Sequence, residues 1–392
     1  MSSAAKHVIL PGQTIGILGG GQLGRMMALA GRAMGYRFVV LDPAPDSPAA
    51  QVADAQVEAD YSDVKAARQL AKEADIITYE FENVDAQVAS ILSDEAYMPQ
   101  GSHLLFITQH RIREKQTMEK AGVPVAKWRA VFTFNDLKTV FQESGQRGIL
   151  KTTRGGYDGK GQWRIVPESR LEDIWNECQP YLQVHGQDEA GPLIYEWLVP
   201  FVREISVIVT RGVQGEQSLF PVIENHHQNG ILYMSIVPAR IPEEAVRLAQ
   251  QAAVKIADQL QLVGTLAVEM FLTESGEVLV NELAPRPHNS GHLTIEACAT
   301  SQFEQHIRAI CGLPLAENRL LTPAVMVNVL GQHLHPLLEQ IDRFPRNVKL
   351  HLYGKREPKV HRKMGHLTCL GDIDTALQFI GSSKIWATDS ER

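Results

Sequence analysis

Lys151-Thr152-Thr153-Arg154-Gly155-Gly156-Tyr157-Asp158-Gly159-Lys160-Gly161-Gln162 joins two short apolar runs, one ending at Lys151 and the next beginning at Gln162. The pattern reads as strand, loop, strand. The stretch carries four glycines and three cations, Lys151, Arg154 and Lys160. A plain hairpin turn needs one or two glycines and no flanking lysine. A flap over a polyphosphate needs more: glycines that let backbone N–H groups close on phosphate oxygens, and ammonium groups that neutralise them. The Walker pattern GxxxxGK[ST] is absent, so this is a phosphate flap of another kind.

Downstream, the apolar runs Gly264 to Phe271 and Glu277 to Glu282 flank Glu274-Ser275-Gly276-Glu277. A two-residue turn at Ser275-Gly276 sets Glu269 opposite Glu282, with β-carbons about 5 Å apart. Ala267, Phe271, Val278 and Val280 are expected on the same face, which argues for burial. A buried carboxylate pair needs a partner, and hard divalent cations such as Mg2+ bind carboxylate oxygens. Glu269 and Glu282 are therefore the candidate metal ligands of a magnesium-nucleotide site. The bland alternative is a solvated hairpin with incidental glutamates.

Next comes Asn281-Glu282-Leu283-Ala284-Pro285-Arg286-Pro287-His288-Asn289-Ser290-Gly291-His292, a dense run of anion-binding and polar residues on an irregular segment. Such loops carry chemistry on a rigid sheet. His288 and His292 have a zinc-like spacing, but Pro287 and Gly291 argue against a helix presenting both on one face. Lys355, Arg356, Lys359, Arg362 and Lys363 form a late basic cluster around Gly354 and Gly365, either a phosphate site or a solvated charged turn.

Upstream, Gly19-Gly20-Gly21-Gln22-Leu23-Gly24 matches GxGxxG between a strand, Thr14 to Leu18, and a helix with Leu23, Met26, Met27, Ala30 and Met34 on one face. Asp42 ends the next strand, where a ribose-binding acid of a dinucleotide site would stand. Taken alone, the loop points to a nicotinamide-dependent dehydrogenase. Glycines at a helix N-terminus admit any phosphate, however, so the loop predicts an anionic ligand and not a particular one.

Strands at Phe38 to Leu41 and Ile76 to Tyr79 alternate with a helix over Val64 to Glu73, as in a parallel α/β sheet. A first domain over residues 1–110 follows. A charged helix from Arg111 stops before Pro124. A smaller unit over 111–196 has strands near Trp128 to Phe132, Gly148 to Lys151, Gln162 to Val166 and Leu193 to Glu196. The remainder, 197–392, has strands at Glu204 to Thr210 and Leu219 to Ile223, a helix from Glu243 to about Leu260, the hairpin and a mixed C-terminal region. With 392 residues, 44% hydrophobic, the chain is long enough for two or three cores. A net charge of -7, with Lys and Arg scattered so that no overall positive field exists, argues against nucleic acid as a partner. Cys178, Cys298, Cys311 and Cys369 make no CxxC pair, which fits a reducing compartment. No apolar run reaches the roughly 18 residues of a membrane span, and the N-terminus has no signal-like apolar region. A cytoplasmic location is expected.

The sequence resembles the N5-carboxyaminoimidazole ribonucleotide synthases, ATP-grasp enzymes of purine biosynthesis. The likeness runs over nearly the whole chain, through Gly19 to Met26, Thr78 to Val84 (TYEFENV), Gly155 to Gln162, Asn281 to His292 and Tyr353 to Gly365. It implies a mixed α/β and α+β architecture: an ATP-grasp fold preceded by a Rossmann-like parallel-sheet domain, with a small C-terminal mixed region. It implies ATP binding by Arg111, Lys151, Gly156, Tyr157, Asp158, Gly159, Lys160, Gly161, Gln162, Glu196, Trp197, Leu198, Val199, Glu204, His227, Asn281 and Glu282. Glu269 and Glu282 would carry Mg2+, although Ala284 stands where the wider superfamily often has a third ligand, Asn. The substrate, aminoimidazole ribonucleotide, would meet Gln22, Leu23, Glu80, Asp158, Arg286, His288 and Asn289, with Lys355 and Arg362 near its phosphate. Lys160, Asp158, Arg286 and His288 are the expected catalytic residues, bicarbonate the second substrate and a homodimer the expected assembly. Formate-dependent glycinamide ribonucleotide transformylases and biotin carboxylases share the scaffold and are the nearest rivals. A non-catalytic nucleotide sensor would keep the ATP site and lose the 281–292 loop, which here is intact.

Overall fold

The computed structural model describes residues 8–156 and 160–386. The first sheet is parallel, in the order β3-β2-β1-β4. It consists of β1 (Thr14–Leu18), β2 (Arg37–Leu41), β3 (Ala55–Val57) and β4 (Ile76–Tyr79), connected through α1 (Gln22–Ala33) and α2 (Val64–Glu73). Asp63 caps α2, its carboxylate accepting from the N–H groups of Lys65 and Ala66. Side chains alternate between two cores, as a sheet covered on both faces requires. Ile15, Ile17 and Ile76 join the α1 side, while Leu18, Ile77 and Tyr79 join the α2 side, where α3 (Ala86–Glu95) also packs.

After α4 (His103–Thr108) and α5 (Arg111–Lys120) comes an antiparallel sheet in the order β5-β8-β6-β7. Its strands are β5 (Trp128–Val131), β6 (Gly148–Thr152), β7 (Gln162–Ile165) and β8 (Leu193–Trp197), backed by α6 (Phe134–Glu143) and α7 (Leu171–His185). Thr133 and Asp136 form a reciprocal capping box at the start of α6. The flap joins β6 to β7, and Tyr157, Asp158 and Gly159 lie outside the described residues.

The third sheet is nine-stranded and antiparallel. It runs β9 (Phe201–Arg211), β10 (Gln217–Leu219), β11 (Ile223–Gln228) and β12 (Ile231–Val237), then α8 (Glu243–Gln259), β13 (Gly264–Thr273) and β14 (Val278–Ala284). After α9 (Thr294–Ala297) and α10 (Gln302–Ile310), it continues through β15 (Ala324–Leu330), α11 (Gly331–Leu338), β16 (Val348–Leu352) and β17 (Lys363–Leu370), and α12 (Ile373–Ser382) closes the fold. The strand expected at Leu219 to Ile223 is instead the break between two strands: β10 ends at Leu219, β11 begins at Ile223, and Pro221 lies between them. The C-terminal region is no separate unit: β15, β17 and β16 extend the large sheet beyond β12.

Two features tie the sheets together. Leu104 of α4 and Met118 of α5 are buried in the core between α8 and the large sheet. Phe303, Ile307 and Ile310 of α10 complete the α1 side of the parallel sheet. The four cysteines are buried and free. Among the described residues no helix is long and apolar enough to cross a membrane.

Candidate active site

The two antiparallel sheets and the segments that follow β1 and β4 of the parallel sheet line one cleft of about 970 Å³. The small sheet and the segment after it supply Lys151 from β6, Gln162 and Arg164 from β7, and Glu196 to Val199. Glu196 is buried, with its carboxylate 2.8 Å from Lys151 Nζ and 3.7 Å from Lys115 Nζ. Burial would raise this carboxyl, but the two ammonium groups hold it down at about 2. Ile149, Leu198, Phe201, Leu232 and Phe271 give the cleft an apolar lining, with Phe201 and Phe271 stacked at 4.6 Å. Nearby, Glu204 Oε2 lies 2.7 Å from His227 Nδ1. Burial disfavours the imidazolium, yet the Glu204 hydrogen bond raises the His227 pKa.

Helix α5 presents Arg111, Glu114 and Lys115 to three successive residues of β14. Arg111 Nη1 is 3.2 Å from Glu282 Oε2, Lys115 Nζ donates to the Asn281 carbonyl at 2.8 Å, and Leu283 N donates to Glu114 Oε1 at 2.7 Å. Positions i, i+3 and i+4 share a helix face, so one turn reaches all three. Burial first, and then Glu282, push the Glu114 carboxyl up to about 8. Arg111 Nη2 also reaches the Gly156 carbonyl at the flap, at 3.4 Å.

Glu269 and Glu282 are direct partners in the β13–β14 ladder, as expected, but by another route. The turn has three residues, Glu274 to Gly276, with Thr273 N bonded to Glu277 O at 2.9 Å and Gly276 at φ +84°. A β-bulge then inserts Asn281, restoring the register at Glu269 and Glu282. The bulge also changes which side chains share a face. Val278 and Val280 do not accompany the glutamates as expected; they lie in the α8 core with Met270 and Leu272. Phe271 does line the cleft.

Burial, with Glu282 beside it, raises Glu269 to about 7; burial acts on Glu282 too, but Arg111 and Lys151 hold it below its ordinary value. Glu282 is thus compensated by two cations, and Glu269, which His227 and Lys363 also favour, is compensated less. Among the described residues no group of three or more His, Cys, Asp and Glu is arranged to hold a metal ion. Two carboxylates suit a hard ion that keeps its remaining positions for water and phosphate oxygens.

His288 and Arg286 continue this wall. His288 Nε2 is 3.0 Å from Glu269 Oε1, and burial lowers the His288 pKa well below 6.5, so the ring is neutral. Arg286 Nε bonds Glu82 Oε2 at 2.6 Å. Asn289 is buried, and neither side-chain polar atom has a hydrogen-bond partner. Such an amide facing a cleft is a ready ligand contact. His292, by contrast, is wholly buried away from the cleft among Phe303, Tyr353 and His366.

The first glycine loop is already filled by the protein itself. Glu80 accepts from the N–H groups of Gly21 and Gly24, the latter at 2.7 Å, and Asp42 accepts from Gly20 at 2.7 Å. A β-carbon on Gly19, Gly20 or Gly21 would collide with Glu80 or Asp42. The helix N-terminus that would cradle a dinucleotide pyrophosphate thus holds internal carboxylates, which removes the dehydrogenase reading. Gln22, Leu23 and Glu80 line the cleft.

Of the late cations, Lys363 lines the cleft, beside Glu82 and Glu269, whose charges it favours. Lys355 and Arg362 lie on the 353–362 loop and do not line it. Lys355 Nζ is 5.7 Å from the Tyr353 ring centroid and favours the Glu80 charge, while Arg362 Nη1 bonds the Glu357 carbonyl at 3.0 Å. Of the flap residues, Gly156 and Gln162 line the cleft, whereas Lys160 and Gly161 are not among its lining. Glu82, Lys363, Glu114 and Lys115 went unassigned by sequence. Glu82 stood within the FENV string and Lys363 within the basic cluster, so both carried a signal. Nothing in a charged helix distinguishes Glu114 and Lys115 from solvated residues.

Two antiparallel sheets that meet over a nucleotide-sized cleft, one through a glycine flap and the other through facing carboxylates, make this an ATP-grasp ligase. Residues 116–303 match the ATP-grasp domain, residues 12–109 the ribonucleotide synthetase preATP-grasp domain, and residues 324–378 the phosphoribosylaminoimidazole carboxylase C-terminal domain. The N5-carboxyaminoimidazole ribonucleotide synthase of Bacillus subtilis is 53% identical over 364 residues, 93% of each chain. The Staphylococcus aureus N5-carboxyaminoimidazole synthetase, solved with ADP, superposes with a TM-score of 0.90 at 41% identity, covering 96% of this chain and 98% of that one. The Aspergillus clavatus N5-carboxyaminoimidazole synthase, solved with ADP and 5-aminoimidazole ribonucleotide, gives 0.84 at 31% identity, covering 95% and 97%. The chain belongs to the N5-carboxyaminoimidazole ribonucleotide synthase family.

Proposed function

We propose that this chain uses ATP to carboxylate 5-aminoimidazole ribonucleotide with bicarbonate, giving N5-carboxyaminoimidazole ribonucleotide, ADP and phosphate in purine biosynthesis. The observation that carries the reading is the single cleft that joins the flap and the Glu269–Glu282 pair to the Glu80, Arg286, His288 and Asn289 wall. On this reading the domains divide at 110/111 and 196/197, and a homodimer works in the cytoplasm.

A bicarbonate oxygen attacks the γ-phosphorus and ADP leaves, forming carboxyphosphate. The exocyclic amine of the ribonucleotide then attacks the carboxyl carbon, phosphate departs, and the amine loses a proton. Bound Mg2+, held by Glu269 and Glu282, would neutralise charge on the phosphate oxygens. The chain's own part is alignment and charge compensation. Lys151, kept in place by Glu196, and Arg111 face the phosphates with Gly156, Lys160, Gly161 and Gln162 of the flap. The Glu196 to Val199 segment offers backbone groups to adenine, Glu204 and His227 hold the ribose end, and Asn281 completes the site. Gln22, Leu23 and Glu80 position the ribonucleotide, with Lys355 and Arg362 assigned to its phosphate. Arg286 and His288 present N–H donors where carboxyl oxygens pass. Tyr157, Asp158 and Gly159 belong to the flap on the same reading, with Asp158 also facing the ribonucleotide. Flap closure would exclude the water that destroys carboxyphosphate.

Phosphate release tests this. With ATP and bicarbonate, adding 5-aminoimidazole ribonucleotide should stimulate release strongly. Stimulation by glycinamide ribonucleotide plus formate, and none by the aminoimidazole, would overturn it.

A further inference from the structure

Beneath the cleft, side-chain hydrogen bonds form one continuous line across the large sheet. Ser235 Oγ donates to Asn225 Oδ1 at 2.8 Å, Asn225 Nδ2 to Ser206 Oγ at 2.9 Å, and Ser206 Oγ to Ser290 Oγ at 3.0 Å. Ser290 Oγ is 3.0 Å from His288 Nδ1, and His288 Nε2 is 3.0 Å from Glu269 Oε1. Ser206, Ser235 and Ser290 are fully buried and Asn225 nearly so, so none of these four can exchange its partner for bulk water.

Such a line has two possible polarities, and the polarity decides what the ring of His288 offers. If protons point from Ser235 toward the cleft, the Ser290 hydroxyl donates to Nδ1, and a neutral imidazole then carries its proton on Nε2. The opposite polarity puts the proton on Nδ1 and turns a bare lone pair toward Glu269. Both ends select the first arrangement. Among the described residues the acceptor of the Ser235 hydroxyl is Asn225 Oδ1, and that bond exists in the first polarity. At the other end, the Ser290 backbone N–H donates to Nδ1 at 3.4 Å, which makes Nδ1 the acceptor and leaves Nε2, facing Glu269 Oε1, as the nitrogen that carries the proton. The amide of Asn225 interrupts any hydroxyl-to-hydroxyl proton transfer, so the line orients groups and does not conduct protons.

We propose that Ser290, backed by Ser206, Asn225 and Ser235, is a positioning residue that locks His288 as the Nε2–H tautomer, so that the ring meets the cleft as a hydrogen-bond donor. This rests on the assignment of His288 to the active site.

The test is the tautomer, read by nitrogen NMR on full-length protein labelled with [15N]histidine, with His288→Asn used to identify the signals. The parent should show Nε2 protonated and Nδ1 bare. Ser290→Ala should give a mixture of tautomers and lower kcat about tenfold or more, the usual effect of losing a partner that orients an active-site imidazole, with the KM for ATP within about twofold. Ser206→Ala, one bond further away, should lower kcat less. An Nδ1–H tautomer in the parent overturns the proposal. So does a Ser290→Ala enzyme with the parent's tautomer and kcat, even if it melts at a lower temperature. Full activity of His288→Asn would instead remove the assignment of His288 on which the proposal rests.

Discussion

His306 shows how one buried side chain makes the whole fold sensitive to acid. Thr265 N donates to its Nδ1 at 3.1 Å, so Nε2 carries the proton and faces Thr78 Oγ1 at 2.9 Å. The ring thereby pins α10 to β13 and to β4. It is fully buried, and burial lowers its pKa to about 3. Between the ordinary value near 6.5 and about 3, the unfolded chain holds one proton more than the folded one, so stability falls as pH falls through that window. The slope from this group is about 1.4 kcal/mol per pH unit. His288, His292 and His366 are also held neutral by burial and act in the same direction. His306→Gln can keep both hydrogen bonds without titrating. Denaturant unfolding from pH 6.5 to 4 should therefore give that variant a slope shallower by one proton, and an unchanged slope would contradict the assignment. Nothing in the sequence around His306 announced this, because burial of a lone histidine depends on what α10 packs against.

At the scale of elements, the helix and strand periods were legible. Ile76–Tyr79, an apolar run, and Val64–Glu73, the polar helix-compatible stretch before it, have the bounds expected from sequence. The hairpin was legible only in outcome. Two departures, a three-residue turn and a bulge at Asn281, cancel in register and leave Glu269 opposite Glu282. Sequence spacing does not reveal a bulge, and the price was the wrong face for Val278 and Val280. The clamp of Arg111, Glu114 and Lys115 on β14 was hidden for a related reason: it joins elements more than 150 residues apart. The carboxylate pair still yields a direct prediction. Glu269→Gln and Glu282→Gln should each raise the magnesium concentration for half-maximal activity and lower kcat, with unfolding transitions close to the parent's. Magnesium titrations that superimpose on the parent's in both variants would show that the pair holds no ion.

At the scale of the molecule, three sheets from successive stretches of chain converge on one cleft, and the phosphate flap and the paired carboxylates belong to different sheets. Sequence patterns place each sheet but not their meeting, since the contacts that close the cleft, such as Arg111 with Glu282 and Arg286 with Glu82, are long-range. The C-terminal strands escaped for the same reason: β15 and β17 find their places beside β12 only in the folded sheet. That convergence underlies the central claim, that bicarbonate is activated at the γ-phosphate and passed to an amine within the same enclosure. Bicarbonate labelled with 18O in every oxygen tests it most directly, with unlabelled ATP and 5-aminoimidazole ribonucleotide present and phosphate analysed by mass. Attack by bicarbonate predicts one labelled oxygen in each phosphate released during carboxylation. Unlabelled phosphate formed in step with the carboxylated product would contradict the account, because the γ-phosphoryl group would then have gone to water.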